Sequence, residues 1–253
     1  MFEIKAREKG VLAGIEELRK AAEELGIELR WIGREGTRLE VGSKVLEGVG
    51  SAWQVARAEE ELVGIIGKPS GVATEAAEMV ALAGERARIV CGAWKKVPRD
   101  IRPLLRRAIA VGGAGIRLLD NEPFIYLDKN YVRMFGSIRE AVLSARQIPG
   151  RVIAVQIRGE TGPLTEEVRE AAYSGAGIIM VDTGQVQDLV LAEDYLRTNE
   201  LRHAVRLAFG GSVSRVRVRE VVEAGAEIID VGRAIIDAPL LDFSLDVIAR
   251  LPE

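Results

Sequence analysis

Two glycine-rich stretches late in the chain carry the residues with the clearest chemical meaning. Gly210-Gly211 follows the apolar run AVRLAF, and Gly232-Arg233 follows EIIDV. Glycine lets backbone N–H groups approach phosphate oxygens, and the N-terminus of a following helix adds the positive end of its dipole. The two stretches therefore predict a shared phosphate-binding corner, with Arg233 as its cation. The alternative is that the glycines only allow neighbouring strands to pack tightly.

Polar and charged side chains also follow the earlier apolar runs. In chain order they are Lys95 and Lys96, Asp128 and Lys129, Gln156 and Arg158, and Asp182. Several cations and two acids at the ends of strands indicate a phosphorylated small molecule as ligand. The alternatives are that Asp182 caps the next helix and that Lys95, Lys96 and Arg102 are solvated surface charges.

The single histidine and the single cysteine offer no catalytic pair. His203 lies in NELRHAVRL, just before an apolar run, which is the wrong end of a barrel strand for chemistry. Cys91 is expected to be a small buried apolar residue. The sequence therefore predicts neither histidine catalysis nor a metal site built from His and Cys.

Composition limits the class of protein. The chain has 253 residues, of which 48% are hydrophobic, and a net charge of −3, a balance that argues against a general nucleic-acid binder. No apolar run approaches the roughly 20 residues of a membrane span. One cysteine and a charged N-terminus without an apolar segment favour a cytoplasmic protein. Abundant Arg and Glu with few Asn and Gln hint at a thermophilic source.

The elements that must position these residues recur regularly along the chain. Six apolar runs alternate with helical patterns at a spacing of roughly 25–35 residues, the length of one βα unit; they are ARIVCG, PFIYLD, RVIAVQIR, GIIMVD, AVRLAFG and EIIDVG. A parallel sheet covered by helices follows. No early G-x-G-x-x-G follows a strand, so a small β/α barrel over 86–239 is favoured over an open sheet.

The remainder of the chain predicts a second domain and a link. FEIKARE and RLEVGSKVLEGVG have the alternation of strands, and GIEELRKAAEELG has helical periodicity. We assign residues 1–52 and part of 240–253 to this small α/β domain. Residues 53–85 are predicted to form two linking helices, each closed by glycine.

A resemblance covers nearly the whole chain. The run SGVAT…VPRDIR…VGGAG…GSIREAV…GAGIIMVD…FGG…GAEIIDVG…DAPLLDFSLDV resembles the quinolinate phosphoribosyltransferase family, also called nicotinate-nucleotide pyrophosphorylase. The resemblance implies an N-terminal α/β sandwich domain followed by an incomplete parallel β/α barrel. It also implies a homodimer, in which the N-terminal domain of one subunit caps the barrel of the other.

The sequence departs from the catalytic signature of that family at several positions. Lys95 matches the family lysine after the first barrel strand, and Arg102 matches a further arginine. Asp182, Gly210-Gly211 and Gly232 are also retained. The replaced positions are Trp94 for arginine, Arg117 for histidine, Leu118 for arginine, Asp128 for lysine, Lys129 for aspartate and Gln156 for an acid. A dianionic substrate with pyrophosphate needs several cations in bidentate geometry, so quinolinate is not expected as substrate.

The first hypothesis is a divergent phosphoribosyltransferase, a glycosyltransferase acting on a ribosyl phosphate. Asp182, Lys129 and Lys95 would be catalytic, and Mg²⁺ would arrive with the substrate. The phosphate would bind at Gly210, Gly211, Gly232 and Arg233, and the remainder of the substrate at Arg102, Arg117, Asp128, Gln156 and Trp94. The reaction would depend on positioning and charge stabilisation.

Two alternatives use the same scaffold. Lys129 could act as a Schiff-base or acid/base lysine in a sugar-phosphate lyase or isomerase, although the neighbouring Asp128 opposes the lowered pKa that this needs. The chain could also be a non-catalytic relative that binds a nucleotide, because so many signature residues are replaced.

Overall fold

The chain forms two units in the computed structural model, which describes residues 1–251. The first unit contains Met1–Glu78, Ala93–Ala114 and the described residues from Ile235 onward. The second contains Met79–Gly92 and Gly115–Ala234. The contacts thus place 93–114 with the N-terminal elements, and the domain boundaries expected from the sequence stay a prediction.

Regular elements occupy most of both units. The strands are β1 Phe2–Ala6, β2 Gly10–Val11, β3 Glu28–Ile32, β4 Arg38–Leu39, β5 Lys44–Val49, β6 Arg88–Val90, β7 Phe124–Leu127, β8 Val152–Ile157, β9 Ile178–Val181, β10 Arg206–Phe209, β11 Ile228–Asp230 and β12 Phe243–Val247. The helices are α1 Ile15–Glu24, α2 Ala52–Ala83, α3 Arg102–Val111, α4 Lys129–Phe135, α5 Ile138–Ala145, α6 Leu164–Ser174, α7 Val186–Thr198, α8 Val218–Glu223 and α9 Arg233–Ile236.

The first unit is built on a four-stranded antiparallel sheet in the order β12-β1-β5-β3. Alternate residues of β1 are buried, including Phe2 and Ile4. They pack with Leu18 of α1 and with Leu62 of α2 in one apolar cluster. This is the sandwich of a sheet and helices that the resemblance implied. Strand β12 brings the C-terminal segment into the sheet, because Phe2 pairs with Val247.

The two linking helices expected over 53–85 are one 32-residue helix, α2, with Pro69 inside it. Gly67, which suggested the end of the first helix, lies inside α2, whereas Gly84, which was expected to close the second helix, directly follows α2. A Cβ on Gly71 would lie 1.9 Å from the carbonyl oxygen of Pro239, and Leu241 N–H donates to the carbonyl of Gly67 at 3.0 Å. These glycines allow the C-terminal segment to contact the helix backbone.

The second unit contains a six-stranded parallel sheet in the order β6-β11-β10-β9-β8-β7. The first strand of the series thus pairs with the last, whereas β6 and β7 are not neighbours, so the barrel is incomplete. All six predicted barrel strands are confirmed. Their inner face is apolar, with Ala154, Met180, Ala208 and Ile228 packed in one cluster.

Candidate functional site

The inner face of the barrel changes from apolar to polar at the carboxyl ends of its strands. Side chains alternate between the two faces of a strand. The face that carries Tyr126, Ala154 and Met180 therefore continues to Gln156 on β8 and to Asp182 just after β9. Asp230 ends β11 in the same way after the inward-facing Ile228. These ends form the mouth of the barrel, where β/α barrels bind their ligands.

Asp182 lies at the centre of a hydrogen-bond network in this mouth. Its Oδ2 accepts from Nε2 of Gln156 and from Nη1 of Arg158, the latter at 3.2 Å. The side-chain oxygen of Gln156 in turn accepts the backbone N–H of Lys129 at 2.8 Å. The network fixes the direction of the Asp182 carboxylate and links the ends of three neighbouring strands.

Two further carboxylates belong to the mouth. Asp230 Oδ1 accepts the backbone N–H of Gly92 at 3.1 Å. Asp128 is the N-cap of α4 and accepts the backbone N–H groups of Asn130 and Tyr131 at 2.8 and 3.3 Å. The predicted substrate residue Asp128 thus has a structural function in stabilising the start of a helix.

Tyr126 has a raised pKa in the mouth of the barrel. Burial raises the pKa of Tyr126, and the carboxylates of Asp230, Asp182 and Asp128 raise it further, whereas Arg158 acts in the opposite direction. The hydroxyl therefore stays protonated well above neutral pH, so it is able to donate a hydrogen bond. The mouth of the barrel is electronegative around this tyrosine.

The glycine corner has a packing function that the structure shows directly. A Cβ on Gly210 would lie 2.9 Å from Oδ1 of Asp182, and one on Gly211 would lie 2.6 Å from the backbone nitrogen of Gly184. Gly184 N–H donates to the carbonyl of Gly210 at 3.1 Å. Both glycines are thus needed where two barrel loops meet, whether or not a phosphate binds there.

The second predicted glycine lies at the start of a single helical turn. Gly232 directly precedes α9, and Arg233 is the first residue of that helix and is exposed. The carbonyl of Gly232 accepts a weak hydrogen bond from the buried thiol of Cys91 at 3.8 Å. The exposed Arg233 thus directly follows the half-buried Gly232, and a phosphate at this point stays a prediction.

The loop after β8 is organised by a buried carboxylate. Glu167 on α6 accepts the backbone N–H groups of Arg158, Gly159 and Thr161 at 2.9, 2.7 and 2.7 Å. It also accepts the hydroxyl of Thr161 at 2.8 Å. Glu167 thus holds the backbone of Arg158, whose side chain contacts Asp182 in the mouth of the barrel.

Lys129 and Gln156 line a small cavity of about 80 Å³. Arg133, Glu160 and Thr161 also line it. Pockets for small-molecule ligands typically have about 300–1,000 Å³, so this cavity is too small for a sugar phosphate. Glu160 pairs with both Arg133 and Arg158, at 2.6 and 3.1 Å, and partly neutralises the cations there.

Three of the predicted site residues, Trp94, Lys95 and Arg102, belong to the first unit. Arg102 donates from Nε to the carbonyl of Val97 at 2.9 Å and from Nη2 to that of Lys95 at 2.8 Å. Arg102 therefore holds the segment that follows β6 against α3. Lys95 is exposed and Trp94 is half-buried.

The predicted substrate residue Arg117 and its neighbour Leu118 lie in the segment before β7, and His203, which was not expected to be catalytic, lies before β10. Arg117 is exposed, whereas Leu118 is buried in the apolar interior of the barrel. The family arginine that Leu118 replaces thus has no cationic substitute at that position. His203 is exposed before β10, at the end of the barrel opposite the mouth.

Sequence reasoning missed Tyr126 and Asp230. Both lie inside strands, β7 and β11, whereas the prediction considered only the residues that follow each apolar run. The signal was the period of two: Tyr126 precedes Asp128 by two residues, and Asp230 precedes Gly232 by two.

Within residues 1–251, no group of three or more His, Cys, Asp or Glu side chains could hold a metal ion. Over the same residues, no helix has the length and hydrophobicity needed to cross a membrane.

Fold and site together define the class of a phosphoribosyltransferase with an incomplete barrel, and comparison with known families agrees. Residues 1–70 match the model "Quinolinate phosphoribosyl transferase, N-terminal domain". Residues 72–246 match the model of the C-terminal domain of the same enzyme. The chain belongs to the quinolinate phosphoribosyl transferase family.

Curated relatives are distant but extend along nearly the whole chain. The chain is 27% identical over 250 residues to a probable carboxylating nicotinate-nucleotide pyrophosphorylase of Archaeoglobus fulgidus, covering 97% of this chain and 93% of the relative. It is 28% identical over 247 residues to the nicotinate-nucleotide pyrophosphorylase of Rattus norvegicus, covering 97% and 81% respectively.

Solved structures support the fold. The chain is similar to NadC from Streptococcus pyogenes with a TM-score of 0.82 at 22% identity, covering 99% of this chain and 86% of that one. It is similar to the nicotinate-nucleotide pyrophosphorylase of Pyrococcus furiosus with a TM-score of 0.82 at 19% identity, covering 97% and 68%.

Proposed function

We propose that this protein transfers a 5-phosphoribosyl group between pyrophosphate and an aromatic acceptor that carries fewer negative charges than quinolinate. The observation that carries the proposal is the mouth of the barrel, where Tyr126, Asp182 and Asp230 share the inner face of the strand ends and Asp128 directly follows β7. Three carboxylates suit ribose hydroxyls and Mg²⁺-bound pyrophosphate, and they repel a second carboxylate on the acceptor.

The proposed positions of the substrate follow from the contacts in the second unit. Asp182, oriented by Gln156 and Arg158, would accept hydrogen bonds from the ribose hydroxyls. The 5′-phosphate would lie at Gly211 and Arg233, next to the loops that follow β10 and β11. The protonated Tyr126 hydroxyl would donate to the substrate from the floor of the mouth.

The chemistry proposed for the side chains is positioning and electrostatic stabilisation. Breaking the bond between ribose and pyrophosphate develops positive charge on the sugar ring, and a fixed carboxylate such as Asp182 stabilises that charge. Mg²⁺ would be bound by the substrate's phosphates, as magnesium usually is in phosphate-binding enzymes. The homodimer implied by the resemblance stays a prediction.

An assay of turnover tests this proposal. The protein is incubated with 5-phosphoribosyl 1-pyrophosphate, Mg²⁺ and one acceptor at a time, from a panel of aromatic monocarboxylates, uncharged bases and quinolinate. We expect pyrophosphate release and a mononucleotide product with at least one acceptor that has at most one carboxylate. The proposal would be refuted if quinolinate were the only acceptor that gives a product, or if no acceptor of the panel gave one.

The alternative of a lysine-dependent enzyme has less support. Lys129 lines a cavity of about 80 Å³, which is too small for a sugar phosphate. Borohydride reduction in the presence of sugar phosphates, followed by mass spectrometry, tests the alternative. We expect no adduct on Lys129.

A further inference from the structure

Arg106 is the one stacked cation of the described chain that has no acidic partner. Each of the three tryptophans has a cation over its ring: Lys44 over Trp31 at 5.3 Å, Arg57 over Trp53 at 5.4 Å and Arg106 over Trp94 at 4.7 Å. Lys44 also pairs with Glu47, and Arg57 with Glu61. Within residues 1–251, Arg106 makes no ion pair and no hydrogen bond.

The Arg106 guanidinium is also partly withdrawn from water. Its Nε is buried and has no hydrogen-bond partner among the described residues. A buried donor that is left unsatisfied destabilises the protein, so native proteins seldom retain one without a function. Stability alone would favour an apolar side chain of similar length at this position.

The surrounding segment holds this guanidinium in a defined place. Arg102, one helical turn earlier on α3, bonds the carbonyls of Lys95 and Val97 and so fixes the loop that carries Trp94. The ring of Trp94 then supports the face of the Arg106 guanidinium. A guanidinium stacked on a ring keeps its N–H groups directed outward in one plane, which suits bidentate binding of a carboxylate or phosphate.

The charge of the segment agrees with an anionic ligand. Lys95 and Lys96 are exposed beside Trp94 and make no ion pair within residues 1–251. Asp100 is the only acid between Trp94 and Arg107. The segment therefore presents unneutralised cations around a preorganised guanidinium.

We propose that Arg106, held against Trp94, is an oxyanion-binding residue of the first unit that binds a carboxylate or a phosphate group of a small molecule. The choice of probes below rests on the proposed phosphoribosyl transfer. The contact itself is a property of the first unit, where all the residues that support it lie.

Equilibrium binding tests this inference without requiring turnover. Wild-type protein and the variants R106Q, R106K and K44Q are titrated calorimetrically with inorganic pyrophosphate, 5-phosphoribosyl 1-pyrophosphate and nicotinate. We expect R106Q to weaken at least one probe by about tenfold or more, R106K to weaken it less, and K44Q to leave all three unchanged. Loss confined to the phosphate probes assigns a phosphate to Arg106, and loss confined to nicotinate assigns a carboxylate.

A stability measurement separates binding from a structural function. Because R106M removes a buried unsatisfied donor and keeps an unbranched apolar stem, we expect its melting temperature to equal or exceed that of the wild type. Unchanged affinity of R106Q for every probe would overturn the inference, and a lower melting temperature for R106M would then assign Arg106 a structural function. Wild-type protein that binds none of the probes would overturn the inference and the proposed function together.

Discussion

Replacing Glu167 with glutamine should lower the free energy of unfolding of the second unit strongly, although the two side chains have nearly the same size. In the native protein, Oε2 accepts two backbone N–H groups, from Arg158 and Gly159, and Oε1 accepts the N–H and hydroxyl of Thr161. Glutamine has one acceptor oxygen and one NH₂ group, so one of these pairs of donors would face another donor. Two hydrogen bonds to a charged group, at about 1.5 kcal/mol each, give a loss of about 3 kcal/mol.

The neighbouring Glu166 provides a matched control. Glu166 is exposed and pairs with Arg169 at 2.7 Å, a contact between residues three apart on α6. Exposed pairs of this kind contribute about 0.3–0.5 kcal/mol, so E166Q should lie close to the wild type. Urea unfolding followed by circular dichroism measures both variants. An E167Q midpoint indistinguishable from that of E166Q would refute the assignment of Glu167 as the organiser of this loop.

Three further changes test separate parts of the account. Gly184→Ala places a Cβ 2.7 Å from the carbonyl oxygen of Gly211, whereas the Cβ of Gly136→Ala meets nothing within 4 Å. Both glycines have positive φ. Gly136→Ala should therefore lower the free energy of unfolding by about 1 kcal/mol and Gly184→Ala by clearly more, as measured by thermal unfolding. Asp182→Asn should lower the rate of phosphoribosyl transfer by about 100-fold or more, while the melting temperature changes little. A melting temperature low enough for unfolding to explain the lost activity would contradict a catalytic function. The pKa of Tyr126 is higher in the folded protein than the ordinary tyrosine pKa of about 10. The protonated Tyr126 therefore contributes fully to the free energy of unfolding below pH 10, and this contribution is lost as the pH rises above that value. Tyr126→Phe should therefore flatten the fall of stability above pH 10, and an unchanged alkaline unfolding profile would contradict this.

The sequence was sufficient for the architecture because the barrel repeats one physical pattern. Six near-continuous apolar runs separated by helical periods specify parallel strands buried on both faces. The length of α2 could not be predicted, because Gly67 is typical of a helix end. Gly67 and Gly71 both lie inside the helix. They are present instead because the segment around Pro239 contacts the helix backbone. Such a contact between distant segments leaves no local signal.

The site was predicted in part for a similar reason. Asp182 and Gly210 follow their strands, and the rule that barrels bind ligands at these ends found them. Tyr126 and Asp230 lie within strands, where only the alternation of faces distinguishes the mouth from the helix-covered side. The orphaned Nε of Arg106 and its contact with Trp94 depend on the path of the loop before α3, which no sequence pattern specifies.

The central claim is that the mouth of the barrel accepts a ribosyl phosphate but disfavours a dicarboxylate. Calorimetric titration of the wild-type protein with 5-phosphoribosyl 1-pyrophosphate, nicotinate and quinolinate tests it directly. We predict saturable binding of the phosphoribosyl compound, and binding of quinolinate at least about tenfold weaker than that of nicotinate, which corresponds to about 1.4 kcal/mol. Quinolinate that binds as tightly as nicotinate, or more tightly, would contradict the account.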